Sequence, residues 1–185
     1  SGTYPNRGKP GGYDAYSECL AHFIRDVRKD LKALGMKFVI GVMGVGGPLD
    51  KYASQRYVPI HGSFREAMAA PASMPEFKGN VAAVRTAPFW DSRLQQIEDK
   101  QGKVKQMAGF LKSKHKDHPN KDGSMDAKAQ KAYLDKYRTE LISAEDEAYA
   151  KVARSNAAYH YFGSAKIMAQ IGKAFAEAMI EMRKK

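Results

Sequence analysis

The sequence predicts an α/β fold, on the strength of two short apolar runs and the amphipathic helical patterns around them. The run at 36–43 follows a helical pattern directly, is rich in β-branched residues and is too short for a helix of its own, so it reads as a strand buried on both faces. The run at 80–89 reads as a second buried strand, and the residues after each run should project at the carboxyl edge of a sheet, where α/β proteins place their sites. At 185 residues, 43% hydrophobic and 28% charged, the chain can bury one core, and a single domain over 1–185 is expected.

Residues 1–12 hold Pro5, Pro10 and four glycines and read as an irregular surface loop. Asp14 is placed to cap a helix whose apolar stripe is Tyr16, Cys19, Leu20, Phe23, Ile24, Val27, Leu31 and Leu34, with Gly35 ending it and His22 at its solvent edge. After the first strand, Gly44-Val45-Gly46-Gly47-Pro48 lacks the Lys-Ser/Thr pair of a phosphate-cradling loop and opens no helix, which argues against nucleotide binding and for a turn at the strand end. A polar, aromatic connection containing His61 then leads to Ser63-Phe64-Arg65-Glu66, a capping box for a short helix closed by Pro71. A loop over 71–79 precedes the second strand.

From 92 to 154 the chain turns to charged helices, one with the stripe Val104, Met107, Ala108 and Leu111, another with Ala129, Ala132, Tyr133 and Leu141. Ser143-Ala144-Glu145-Asp146 is a further capping box, opening a helix to about residue 153. The stretch reads as a helical insertion on the α/β core. Between its first two helices, His115 and His118 with Asp117 and Asp122 form a nominal metal cluster, but flanking lysines oppose a cation and the loop offers no fixed scaffold, so no metal is expected.

Composition removes several classes of function. One cysteine, Cys19, on the apolar face of the first helix, excludes an intrachain disulfide, a cysteine-rich zinc site and a Cys-x-x-Cys redox pair. No apolar run approaches the roughly 20 residues that span a bilayer, and 1–8 has no signal-peptide layout, so no membrane partner is expected. The net charge of +11 concentrates in Lys100, Lys103, Lys105, Lys112, Lys114, Lys116 and Lys121. These read either as a solvated face or as a patch for an acidic polysaccharide or nucleic acid; charge alone supports the last, since no nucleic-acid motif with interleaved aromatics accompanies them.

The C-terminal stretch carries the chemistry. His160, flanked by Tyr159, Tyr161 and Phe162, stands ahead of a helix whose core face is Ile167, Met168, Ile171, Phe175, Ala178, Met179 and Met182. A histidine at a loop-to-helix junction can present its imidazole to a cleft as a general base; the alternative is a half-buried histidine bonded to backbone carbonyls.

The strand at 38–43, the strand at 81–89 with Thr86-Ala87-Pro88-Phe89-Trp90-Asp91, and Tyr159-His160-Tyr161-Phe162-Gly163-Ser164-Ala165-Lys166 before an Ala-rich last helix together resemble the sialate O-acetylesterase-like carbohydrate esterases of the SGNH hydrolase superfamily. The resemblance covers nearly the whole chain and extends to the helical insertion. It implies a flavodoxin-like three-layer α/β/α sheet, truncated at its N-terminal strands, no cofactor, an acetylated carbohydrate as substrate, and a Ser nucleophile activated by His160. In that superfamily the nucleophile lies in an N-terminal Gly-Asp-Ser-like block and the oxyanion donors in blocks soon after; Ser1, Ser17, Ser54 and Ser63 have no such context. The expectation is therefore the C-terminal part of an esterase domain, inactive alone, completed by an upstream segment or partner chain and prone to self-association. The family often places an acid three residues before the histidine; here that position is Ala157, with Asn156 beside it, which leaves the orienting acid unassigned.

Overall fold

The computed structural model describes residues 7–184. In chain order it contains helix α1 (Asp14–Asp30), strand β1 (Phe38–Val42), helix α2 (Val58–Ala69), strand β2 (Val81–Arg85), and helices α3 (Ser92–Lys112), α4 (Ala127–Leu141), α5 (Ala144–Ala153) and α6 (Ala165–Arg183). The fold is mixed α/β and mostly helical. It divides into two compact units, Ser1–Trp90 with Lys166–Lys185, and Asp91–Ala165. Among the described residues no helix is long and apolar enough to cross a membrane.

In the first unit β1 and β2 pair in parallel, Phe38 opposite Val81 and Val42 opposite Arg85. Side chains alternate across a strand, so Phe38, Ile40, Val42, Val81 and Ala83 share one face. Ile40, Val42 and Val81 are buried there with Ala21 and Ile24 of α1 and with Phe77. Gly41 lies on the opposite face, where a Cβ would come 2.8 Å from Phe175 Cζ of α6. Each apolar run at 36–43 and 80–89 thus contains a strand, shorter than predicted; the second gives way to a 3-10 turn at Ala87–Phe89.

Helix α1 buries Ser17, Ala21, Ile24 and Arg28, a stripe different from the predicted one. Phe23, Leu31 and Leu34 are exposed, and so is Cys19. For Leu31 and Leu34 the cause is an early end: the helix stops at Asp30 and Lys32 takes a left-handed conformation (φ 50°), so both leave the helical register. Arg28 fills a core position because its guanidinium is satisfied, Nε donating to Met36 O at 3.0 Å and Nη2 to Asn80 Oδ1 at 2.8 Å, above the Phe77 ring. Asp14 makes no capping bond, Tyr13 occupying the N-cap. Helix α2 begins at Val58 rather than Ser63, with a proline in its first turn, where the missing N–H costs nothing. Ser63 Oγ, freed from capping, donates to Lys9 O at 2.9 Å.

The second unit is helical. Asp91 caps α3, Oδ1 accepting from Leu94 N–H at 3.0 Å, while Oδ2 accepts from Tyr149 Oη of α5 at 2.6 Å. Ser143 caps α5 as predicted, accepting from Asp146 N–H at 3.1 Å. The loop after α3 does have a scaffold: buried Asn120 donates to Leu111 O at 2.9 Å and accepts from Met125 N–H at 2.8 Å.

At the carboxyl edge of the sheet, Thr86 Oγ donates to Val42 O at 2.8 Å, tying the end of β2 to the end of β1. Gly44 packs directly on that junction; a Cβ there would lie 2.4 Å from both Thr86 C and Ala87 N. Gly44→Ala should therefore destabilise the protein by about 1–3 kcal/mol, the usual cost of overpacking. Denaturant unfolding measures this as a lower midpoint at unchanged slope.

Candidate functional site

The chain leaves α5 at Ala153 and enters a 3-10 turn, Ala158–Gly163, before α6. Three successive residues there are left-handed: Tyr161 (φ 52°), Phe162 (φ 58°) and Gly163 (φ 57°). Glycine adopts this conformation freely, whereas each L side chain costs roughly 1–2 kcal/mol. Cross-bracing offsets the strain. Phe162 O accepts from both Ser155 N–H and Asn156 N–H at 2.9 Å, Phe162 N–H donates to Ala157 O at 3.1 Å, and Ser155 Oγ donates to Gly163 O at 3.0 Å. The Phe162 ring is fully buried, as is Ser164 beside it. Left-handed side-chain-bearing residues persist only where the surrounding bonds over-determine them, as they do here.

His160 lies in this turn. It is exposed, which overturns the alternative of a half-buried histidine bonded to carbonyls. Its Nδ1 lies 3.1 Å from Asn156 Oδ1. That amide oxygen also accepts from Ala157 N–H at 2.7 Å, which fixes which end of the amide faces the ring. An oxygen can only accept, so Nδ1 carries the proton and Nε2 presents its lone pair outward. Tyr159 meets the imidazole edge-on at 4.3 Å. The ring's partner is thus the amide of Asn156 and not an acid; the available signal was an amide four residues before the histidine.

Beside this loop, Glu98, Gln101, Arg138, Glu147, Arg154 and Asn156 line a cleft of about 910 Å³. Most of its charges are paired, Lys151 being the exception: Arg154 binds Glu98 and Gln101, and Arg138 Nε donates to Glu147 Oε1 at 2.6 Å. A wall of paired polar groups suits a hydroxylated ligand. Among the described residues no serine hydroxyl or cysteine thiol hydrogen-bonds His160.

The remaining histidines lie apart from this loop's hydrogen bonds. His61 stands on α2 rather than in a loop, its Nδ1 2.7 Å from Tyr52 Oη, which also accepts from Arg65 Nη2 at 2.8 Å. His115 and His118 pack on Phe110, the latter stacked at 4.1 Å. Among the described residues no three His, Cys, Asp or Glu side chains are placed to hold a metal ion. Comparison with known protein families, curated proteins and solved structures gives no match.

Two outcomes follow from this geometry. Gly163→Ala puts a Cβ 2.4 Å from Ser155 Oγ at a left-handed position, so amide exchange at Ser155 and Asn156 should accelerate at least about tenfold, matching a penalty of roughly 1–2 kcal/mol. Separately, burial and then the Arg65 charge hold the His61 pKa below its ordinary 6.5. The unfolded chain takes up the proton first, so stability is full above about pH 6.5 and declines as pH falls below it. His61→Gln should flatten that decline in unfolding curves taken between about pH 7.5 and 5.5.

Proposed function

We propose that the chain is part of a carbohydrate esterase of the sialate O-acetylesterase-like SGNH group, hydrolysing O-acetyl esters on sugars with His160 as general base. The observation that carries this reading is the exposed His160 imidazole, protonated at Nδ1 by its bond to Asn156 and cross-braced in a strained loop ahead of the last helix. In this reading the sheet belongs to a flavodoxin-like three-layer arrangement. The parallel pair β1 and β2, with α1 on one face and Phe175 of α6 against the other, supports it.

The chemistry is acyl transfer. A serine hydroxyl gives its proton to Nε2 as its oxygen attacks the acetyl carbonyl, backbone donors hold the oxyanion, and the imidazolium then protonates the departing sugar oxygen. Water repeats the sequence to release acetate. The nucleophile and oxyanion donors come, in this reading, from an upstream segment or a partner chain. Each strand has one neighbour among the described residues, which leaves edges for such a segment or for self-association.

A second reading, a non-catalytic binding protein for acidic polysaccharide, draws on one observation. Among the described residues, of the seven lysines between 100 and 121 named above only Lys100 forms an ion pair, with Asp146 at 3.3 Å. The others leave an excess of positive charge on this stretch.

Catalysis separates the two. In a chain joined to the segment bearing the Gly-Asp-Ser-like block, His160→Ala should lower hydrolysis of 4-nitrophenyl acetate by about 10²–10⁴-fold with the fold intact. Asn156→Ala should lower kcat at unchanged KM, and Asn156→Asp should restore it. An esterase rate indifferent to His160 would sink the first reading.

A further inference from the structure

We propose that the second unit binds single-stranded nucleic acid across the end of α3 and the loop after it, with bases stacked on the Phe110–His118 pair and phosphates on the neighbouring lysines. No sequence motif marks this surface. The fold makes it, by gathering rings that the sequence spaces apart.

The gathering begins at the helix end. Lys114 is left-handed (φ 54°), and the chain reverses there in a Schellman turn, His115 N–H donating to Phe110 O at 3.0 Å and Lys114 N–H to Leu111 O at 3.3 Å. The reversal lays both histidines against the helix. His118 stacks on Phe110 with ring centres 4.1 Å apart and planes 12° from parallel, and His115 stands 5.1 Å from His118. Buried Asn120 fastens the loop through Leu111 O and Met125 N–H, so the stack is built into the fold. All three rings are half-buried, which leaves part of each open to a ligand. A nucleobase of any identity can extend such a stack, because every base has a π-face.

Charge supplies the rest of the site. Residues 100–121 hold seven lysines against one carboxylate, Asp117, which lies 3.9 Å from His115 Nδ1. The next carboxylate, Asp122, is turned to Ser124, its Oδ1 accepting from Ser124 N–H at 3.0 Å and from Ser124 Oγ at 2.8 Å. Lys103 lies two helical turns before Phe110 on the same face of α3. Lys112, Lys114 and Lys116 are interspersed with the rings along the chain, and all three are exposed. An acidic polysaccharide would meet the same lysines but has no flat π-system for the rings, and a duplex covers its base faces by stacking. Rings set among lysines therefore favour a single strand.

The inference shares its lysines with the polysaccharide reading above and is independent of the esterase one. The test follows the fluorescence anisotropy of a labelled strand of about 12 nucleotides, as DNA and as RNA of one sequence, on titration with the 185-residue chain; the duplex and a heparin oligosaccharide are the comparison ligands. Binding should weaken with salt at a log–log slope of about 3, the value for four phosphates at about 0.7 each. Lys112→Gln and Lys116→Gln should each lower that slope by about 0.7. His118→Ala should weaken the single strand about fivefold or more while leaving heparin unchanged, and His118→Phe should restore it. The loop bonds that His118 itself makes are backbone ones, to His115 O and from Lys121 N–H, and thermal melts confirm the fold. Tighter binding of RNA or of DNA would name the strand. No binding of either strand, a duplex bound as tightly as the strand, heparin bound more tightly than the strand, or a His118→Ala chain that binds the strand as the parent does would each overturn the proposal.

Discussion

The parallel pairing of Phe38–Val42 with Val81–Arg85 is the constraint from which the first unit follows. It sets which residues face α1 and Phe77 and which face away, because side chains alternate strictly along a strand. At the amino ends of the strands, Arg28 joins Met36 O to Asn80, so the helix before the sheet is tied to both strands at once. At the carboxyl ends, the Thr86 bond to Val42 O and the close approach of Gly44 leave room only for a tight turn. That turn presents Val45 O to Tyr52 and Arg65, and through them positions His61. The arrangement at this edge is thus a product of strand register.

The His160 loop works on another principle. Three left-handed residues in a row would be unstable alone, and two of them carry rings. Phe162 resolves this in a single residue: its carbonyl accepts two backbone bonds while its side chain is buried completely. The imidazole is then held by the amide of Asn156, itself fixed by the next peptide N–H. An amide orients the ring and selects its tautomer without adding charge, so it would stabilise an imidazolium less than a carboxylate in the same place.

What was legible in the sequence was local and periodic. The two strands declared themselves as short β-branched runs after and between helical patterns, and Ser143 declared a helix start by its capping box. What was not legible depended on partners distant in sequence. Leu31 and Leu34 continue a helical stripe on paper, but Lys32 ends the register; Arg28 looks like a surface residue until Met36 O, Asn80 and the Phe77 ring receive it. Ser63 has the spacing of a cap, yet a proline-started turn five residues earlier takes that role. His160 was singled out for its aromatic neighbours at a helix entrance, while Asn156 escaped because only the folded turn brings its amide to the ring.

The first unit is assembled from both ends of the chain, with the helical unit synthesised between them. The contact between Gly41 and Phe175 joins the first strand to the last helix. During translation β1 and β2 emerge early and can pair over α1, but the face at Gly41 lacks Phe175 until α6 leaves the ribosome. A nascent chain that has completed only the second unit therefore carries a half-dressed sheet, a natural client for chaperones that bind exposed apolar surface. Protein yield in a cell would then depend on how quickly the final helix is delivered as well as on how stable the finished fold is.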